Sequence, residues 1–440
     1  MALPPTLALP SPVQTARWIA RPTTLLERAR NDCGDVYQLR FFPGGAFFLT
    51  NDPADVRRLF TAPPDTVPTA TGNSPIGPLV GEHSLLTLNG REHLRQRKLL
   101  LPSFHGDRLR AYGEIIQEAA HAQIDTWQAG GDMRLQPQMS AITLEVILRA
   151  VFGVEDAARH NALRTAIEDL ILFTASPKAI ASAVVGTATG KLVGPMKRKT
   201  AAMDALLYDE IASHREHGGL EEREDILSLM MCARDEDGEG MTDIELRDEL
   251  VTLLLAGHET TATSLAWAVE RLVRTPSALA RISDDPADDA YVDAVIHETL
   301  RDRPVVPIIG RVLQEPMMFG EYEVPAGSFA GASLYGTNHN AAVYEDPYTF
   351  RPERFLETKP DTYAWIPFGG GVRRCIGAAF AQLEMRIVLR AIFERAQLRA
   401  VQPEAERVRR RNITFVPEHG ATVYVDALDR APSRPLSLAA

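Results

Sequence analysis

The chain has 440 residues, of which 45% are hydrophobic, and a formal net charge of −11. That apolar share can build a sizeable core, and the negative balance argues against general nucleic-acid binding, which needs a basic face. Three cysteines, Cys33, Cys232 and Cys375, are too few and too scattered for a disulfide framework and suit a reducing compartment. The N-terminus lacks a positive n-region, and no run of about 18 apolar residues occurs. The sequence therefore predicts no membrane anchor and a cytoplasmic location. Length alone would predict two or three domains. No interior linker or fixed-period repeat divides the chain, however, so one large domain over 1–440 is expected.

Residues 1–12 are proline-rich and read as irregular. Asp35 to Thr50 reads as two short strands around a Pro-Gly-Gly turn. A long loop rich in Thr, Pro, Gly and Ser is expected from about Pro63 to Glu82. Helical patterns dominate from Glu92 to Pro276, interrupted near Pro177 to Pro195 and by the acidic loop Asp235-Glu-Asp-Gly-Glu-Gly240.

Within that region, Thr242-Asp-Ile-Glu245 has capping-box spacing and opens an apolar run that stops before Pro276. About 33 residues at 1.5 Å each would make a rod of about 50 Å. Its middle reads Ala256-Gly-His-Glu-Thr-Thr261. Thr260 can bond back to the carbonyl of Ala256 and loosen the helix there. Taken alone, this reads first as a buried helix with a satisfied threonine and a solvated glutamate.

Glu298-Thr-Leu-Arg301 follows, with opposite charges at i and i+3. Strand character returns around Met317 to Ser333. Phe368-Gly-Gly-Gly-Val-Arg-Arg-Cys-Ile-Gly377 comes next, a glycine-rich turn that delivers Cys375 to the start of a helix. Free backbone N–H groups and the helix dipole favour a thiolate there. The glycines allow positive φ and close approach to a flat, bulky object. A lone buried cysteine is usually a small hydrophobe, and a phosphate loop would need Gly-x-x-x-x-Gly-Lys-Ser/Thr, which is absent. Arg411 to Val425 reads as a hairpin turning at Pro417 to Gly420, and 430–440 as a frayed tail.

Phe368, Gly371, Arg373, Cys375 and Gly377 resemble the Phe-x-x-Gly-x-Arg-x-Cys-x-Gly haem-binding pattern of the cytochrome P-450 superfamily, and the resemblance extends from about Val36 to Val425. It implies a mainly α fold with small β-sheets and haem b held between the long central helix and the Cys-bearing loop. Cys375 would be the iron ligand. Ala256 to Thr261 match the family's oxygen-activation motif. Ala256 and Gly257 would then leave room over the cofactor, while Glu259 passes protons toward the Thr260 hydroxyl. His258 falls at the variable position. Glu298, Arg301 and Arg354 map onto a structural charge network. His93, Arg97, Arg311 and Arg373 are candidates to bind the haem propionates.

The resemblance further implies a soluble, bacterial-type monooxygenase, monomeric, that takes electrons from a separate protein such as a ferredoxin with its reductase. Arg95, Arg97, Lys98 and Arg374 would form a basic patch for that acidic donor, unless they are an ordinary solvated face. The segments expected to line the substrate pocket are Pro68 to Leu86, Leu170 to Leu192, Leu253 to Ala256, Val305 to Ile309 and the turn near Val416. Their apolar content favours a fatty acid, terpenoid or steroid-like compound, with Gly186 to Pro195 as a hinge for a lid. Peroxide-driven chemistry is disfavoured because the Glu259–Thr260 pair is retained. A pure ligand sensor is disfavoured for the same reason, since it needs no proton delivery.

Overall fold

A computed structural model describes residues 2–42, 44–69, 77–106, 108–153, 156–174, 176 and 192–429. Helices dominate, and the longest, Asp243–Leu272, forms the axis of the molecule. Thr242 Oγ1 accepts from Glu245 N–H, and the Glu245 carboxylate accepts from Thr242 N–H, so the expected capping box is formed. The helix has 30 residues and is about 45 Å long. It is buried over most of its length because Leu135–Phe152, Gly194–His217, Asp289–Asp302 and Ala378–Arg395 all pack against it. One continuous apolar core joins these helices.

A four-stranded sheet stands beside this bundle in the order Val36–Phe41, Gly45–Thr50, Phe329–Ser333, Ile308–Val312. The Gly45–Thr50 strand pairs antiparallel with the first and parallel with Phe329–Ser333, so a long excursion of chain separates neighbouring strands. Smaller cores, including one around Leu25, Tyr37, Leu39 and Phe415, hold the sheet to the N-terminal helices Ser11–Ala20 and Pro22–Cys33.

Several local expectations need correction. The first helix begins at Ser11, inside the stretch read as irregular, because Pro10 sits just ahead of its first turn and Pro12 falls within it. Gly77–Val80 is a short helix within the expected loop. Residues 411–425 do not form one hairpin. Thr414–Pro417 pairs with Val408–Arg411, whereas Thr422–Leu428 pairs with Gly131–Arg134 and Ala396–Ala400 in another sheet. Non-local partners decided this: positive φ at Asn412 turns the first pair, and the segment from Glu418 to Ala421 crosses between sheets. Most of the 177–195 interruption, residues 186–191 of the proposed hinge among them, lies outside the described residues, as does the 430–440 tail; Gly194 and Pro195 open helix Gly194–His217.

Candidate functional site

Cys375 and Ala256 are the two unexpected exposures of the interior. Ala256 is exposed halfway along the central helix, where Leu253, Leu254 and His258 are buried. Cys375 is also exposed, although burial pushes its thiol up from the ordinary value. Both facts hold if the sulfur opens onto an interior cleft and not onto bulk water. The cysteine lies just ahead of helix Ala378–Arg395, which packs on the central helix.

The loop carrying Cys375 is fixed by its backbone. Cys375 N–H donates to Phe368 O at 2.8 Å, and Arg374 N–H to Gly371 O at 3.1 Å. The three adjacent glycines are not equivalent. Gly371 has φ +63°, and a Cβ there would stand 2.1 Å from Phe60 O. Gly370 has ordinary φ and would meet Phe60 Cβ at 3.4 Å. Gly377, with φ −86°, needs no left-handed backbone; its N–H bonds the Cys375 sulfur. That bond, with Arg97 and Arg374, lowers the thiol pKa but does not outweigh burial. The helix terminus alone therefore does not create a free thiolate, contrary to expectation; a bound cation would. Phe368 packs against Trp365 and holds the far side of the turn.

His93, Arg97, Arg311 and Arg373 converge near this loop. Each arginine feels burial first: Arg311 and Arg373 are both lowered to about 10, the first also by Arg373 and the second also by Arg97. The His93 imidazole is lowered to about 4, by burial and then by Arg373, Arg97 and Arg311. Among the described residues none of the three arginines has a carboxylate in ion-pair range. Arg373 bonds Leu88 O (2.6 Å) and Asn89 Oδ1 (2.7 Å); Arg311 bonds Gly310 O (2.9 Å). Three desolvated cations without an anion are costly. A ligand bearing two carboxylates answers that cost, and one exposed thiol on a glycine-rich loop suits a planar group with a central metal. The residues present therefore fit haem b.

On the central helix, Thr260 Oγ1 donates to Ala256 O at 2.6 Å. The helix nevertheless continues unbroken to Leu272. Glu259 is turned elsewhere: Arg411 Nε donates to it at 2.8 Å and Thr414 Oγ1 at 3.3 Å. Sequence reading missed both partners, for which the Arg409-Arg-Arg411 run was the available signal. At Gly257 a Cβ would meet Ile147 Cδ1 at 3.2 Å. Its missing side chain therefore admits the neighbouring helix, and the room expected at Gly257 is taken up by Ile147. His258 is buried, and burial lowers its imidazole to about 4. A further polar cluster went unnoticed: Ser84 and Thr252 hydroxyls are 2.6 Å apart, and Leu85 N–H donates to buried Glu249.

Glu298 and Arg301 are fully buried and doubly bonded, at 2.7 and 2.9 Å. Arg354 Nε joins the same carboxylate at 3.1 Å. The two guanidinium groups also donate to Asn338 O, Pro347 O and Glu345 O, so the network ties the chain leading to the cysteine loop onto helix Asp289–Asp302.

The basic patch does not form as expected. Arg95 is held by Asp235 (2.6 Å) and Glu245 (2.8 Å), and Lys98 by Glu236 (2.6 Å). The acidic loop and the start of the central helix lie against these cations; Arg374 stays exposed and Arg97 is half-buried near Cys375.

A family model described as Cytochrome P450 matches residues 13–418. This chain belongs to the cytochrome P450 family. The P450 is 39% identical over 436 residues to cytochrome P450 135B1 of Mycobacterium tuberculosis, covering 97% of this chain and 92% of the relative. It is 38% identical over 393 residues to cytochrome P450 137 of the same organism, covering 89% and 83%. Retinoic-acid-bound cyanobacterial CYP120A1 superposes with a TM-score of 0.82 at 23% identity, over 97% of this chain and 100% of that one. The P450 fold, haem b as cofactor and monooxygenase chemistry follow from family membership. Among the described residues no helix is long and apolar enough to cross a membrane.

Proposed function

We propose that this P450 inserts one oxygen atom from O2 into an apolar organic substrate, a fatty acid, terpenoid or steroid-like molecule, with electrons from a separate ferredoxin and its reductase. One observation supports the site assignment: Cys375 and Ala256 are exposed although burial raises the Cys375 thiol, and the nearby cationic cluster has no carboxylate partner among the described residues. Cys375 would ligate the iron, and His93, Arg97, Arg311 and Arg373 would neutralise the propionates. Phe368, Gly371 and Gly377 shape the loop, and Ala256 keeps the opposite side clear. When bound, haem supplies the reductive activation of dioxygen and its transfer to substrate.

The chain's own residues manage protons and exclusion of water. Thr260 spends its hydroxyl hydrogen on Ala256 O, which leaves its oxygen lone pairs free to accept a proton donor. Glu259 would take up a proton from solvent on leaving its Arg411 ion pair and pass it toward the Thr260 hydroxyl. Buried Leu253, Val305 and Val416 supply the apolar wall expected of the substrate side. The protein is expected to act as a monomer.

Reduced, CO-treated protein should show the thiolate-type band, and Cys375→Ala should lose it. Persistence of the band in that variant would sink the ligand assignment. Apolar ligands of the three classes should then displace water from ferric haem, and the ligand giving the fullest shift should be oxidised with a ferredoxin system; a library with neither shifts nor products would reject the substrate class.

A further inference from the structure

Among the described residues, nothing packs on one face of the N-terminal helix Ser11–Ala20. Val13, Ala16, Ile19 and Ala20 are all exposed, with Ile19 at 56%. The opposite face is firmly seated: Gln14 is buried, and Trp18 packs on Phe41 and Phe415. Phe42 extends the apolar surface. Its N–H donates to Thr15 Oγ1 at 2.8 Å, which holds it beside the helix, and its ring is 65% exposed. Single exposed apolar residues are ordinary, but five on one helix and its neighbouring turn form a contiguous patch.

The charge around this patch reverses that of the molecule. No Asp or Glu occurs before Glu27, in a chain whose net charge is −11. The helix packs on strands Val36–Phe41 and Val408–Arg411, which bring further arginines to its flanks. Among the described residues Arg17, Arg21, Arg40, Arg409 and Arg410 make no ion pair; Arg410 instead stacks on Trp18, 5.3 Å from the ring centre. A second copy of this chain is a poor occupant. A two-fold contact would set the same arginines against one another with no acid to meet them.

We propose that this face is a peripheral docking surface for an anionic lipid bilayer. Val13, Ile19 and Phe42 would enter the headgroup boundary while the arginines meet lipid phosphates. The arrangement is that of an interfacial helix and needs no spanning segment. It is independent of which substrate the enzyme takes.

The test is co-sedimentation of the full-length holoprotein with vesicles of phosphatidylcholine alone or mixed with phosphatidylglycerol. The pelleted fraction should be several-fold larger with the anionic vesicles and should fall as salt is raised. Ile19→Asp and the double variant Arg17→Glu/Arg21→Glu should each lower it several-fold. Both keep the CO spectrum, since the altered side chains are at the surface and far from the Cys375 loop in sequence and packing. Equal binding to both vesicle types, or variants that pellet like the parent, would overturn the proposal. So would a concentration-dependent dimer, without vesicle binding, that Ile19→Asp dissolves.

Discussion

The Gly369-Gly-Gly371 run offers a graded test of how the cysteine loop is built. At Gly370 φ is −150°, and an added Cβ meets Phe60 at 3.4 Å, an ordinary contact. Gly370→Ala should therefore be neutral, or slightly stabilising by about 0.5 kcal/mol through lost unfolded-chain entropy. Gly369 has φ +67° and only Ile309 nearby, at 3.6 Å. Its alanine variant should lose about 1–2 kcal/mol, the cost of a left-handed non-glycine residue. Gly371 carries the same strain at φ +63° together with a Cβ 2.1 Å from Phe60 O. Relieving that contact to about 3.3 Å requires the loop to withdraw by about 1 Å. Overpacking of this kind costs about 1–3 kcal/mol, so Gly371→Ala should lose about 2–5 kcal/mol in all. Thermal unfolding followed by circular dichroism gives the ranking, and the CO spectrum reports whether Cys375 stays in register. Equal effects at all three positions would refute the reasoning, because backbone φ and the approach of Phe60 distinguish them.

Three other consequences are open to measurement. Glu298→Gln leaves Arg301 and Arg354 buried without their shared carboxylate, and should cost about 3–5 kcal/mol in unfolding free energy, seen as a lower melting temperature and poor haem retention. His214 is buried, which alone would lower its imidazole, but hydrogen bonds with Asp225 and Glu210 raise it to about 9. A folded pKa above the unfolded value gives stability that is complete below about pH 6.5 and lost as pH rises through 9, amounting to about 3 kcal/mol. Melting temperature should fall across that window, and His214→Gln should flatten the slope. Glu236→Gln frees Lys98, so reduction of ferric haem by an acidic ferredoxin should become faster at low salt and converge with the parent at high salt. An unchanged rate at both would show that the acidic loop does not compete with the donor.

Much of the site was legible locally. Thr242 and Glu245 announce the central helix, and Thr260 bonds Ala256 O because i to i−4 geometry is intrinsic to a helix. Glu298 and Arg301, one turn apart, meet for the same reason. Reading failed where partners come from afar. Arg411 and Thr414 reach Glu259 across 152 and 155 residues. Arg95 and Lys98 lose their role as free cations to carboxylates 138 to 150 residues away.

Local sequence was enough to define the class of this protein: a thiol on a glycine-rich loop, a small-residue step with an acid and an alcohol on a long helix, and the order in which they occur. Those features depend on short-range backbone geometry, which neighbouring residues dictate. The state of each charged or small group, by contrast, came from tertiary packing. It set which glycine admits a backbone, which a neighbouring helix, and which cations stay without an anion around the cleft. Packing and desolvation settle such matters, and both depend on elements that meet only when the chain has folded.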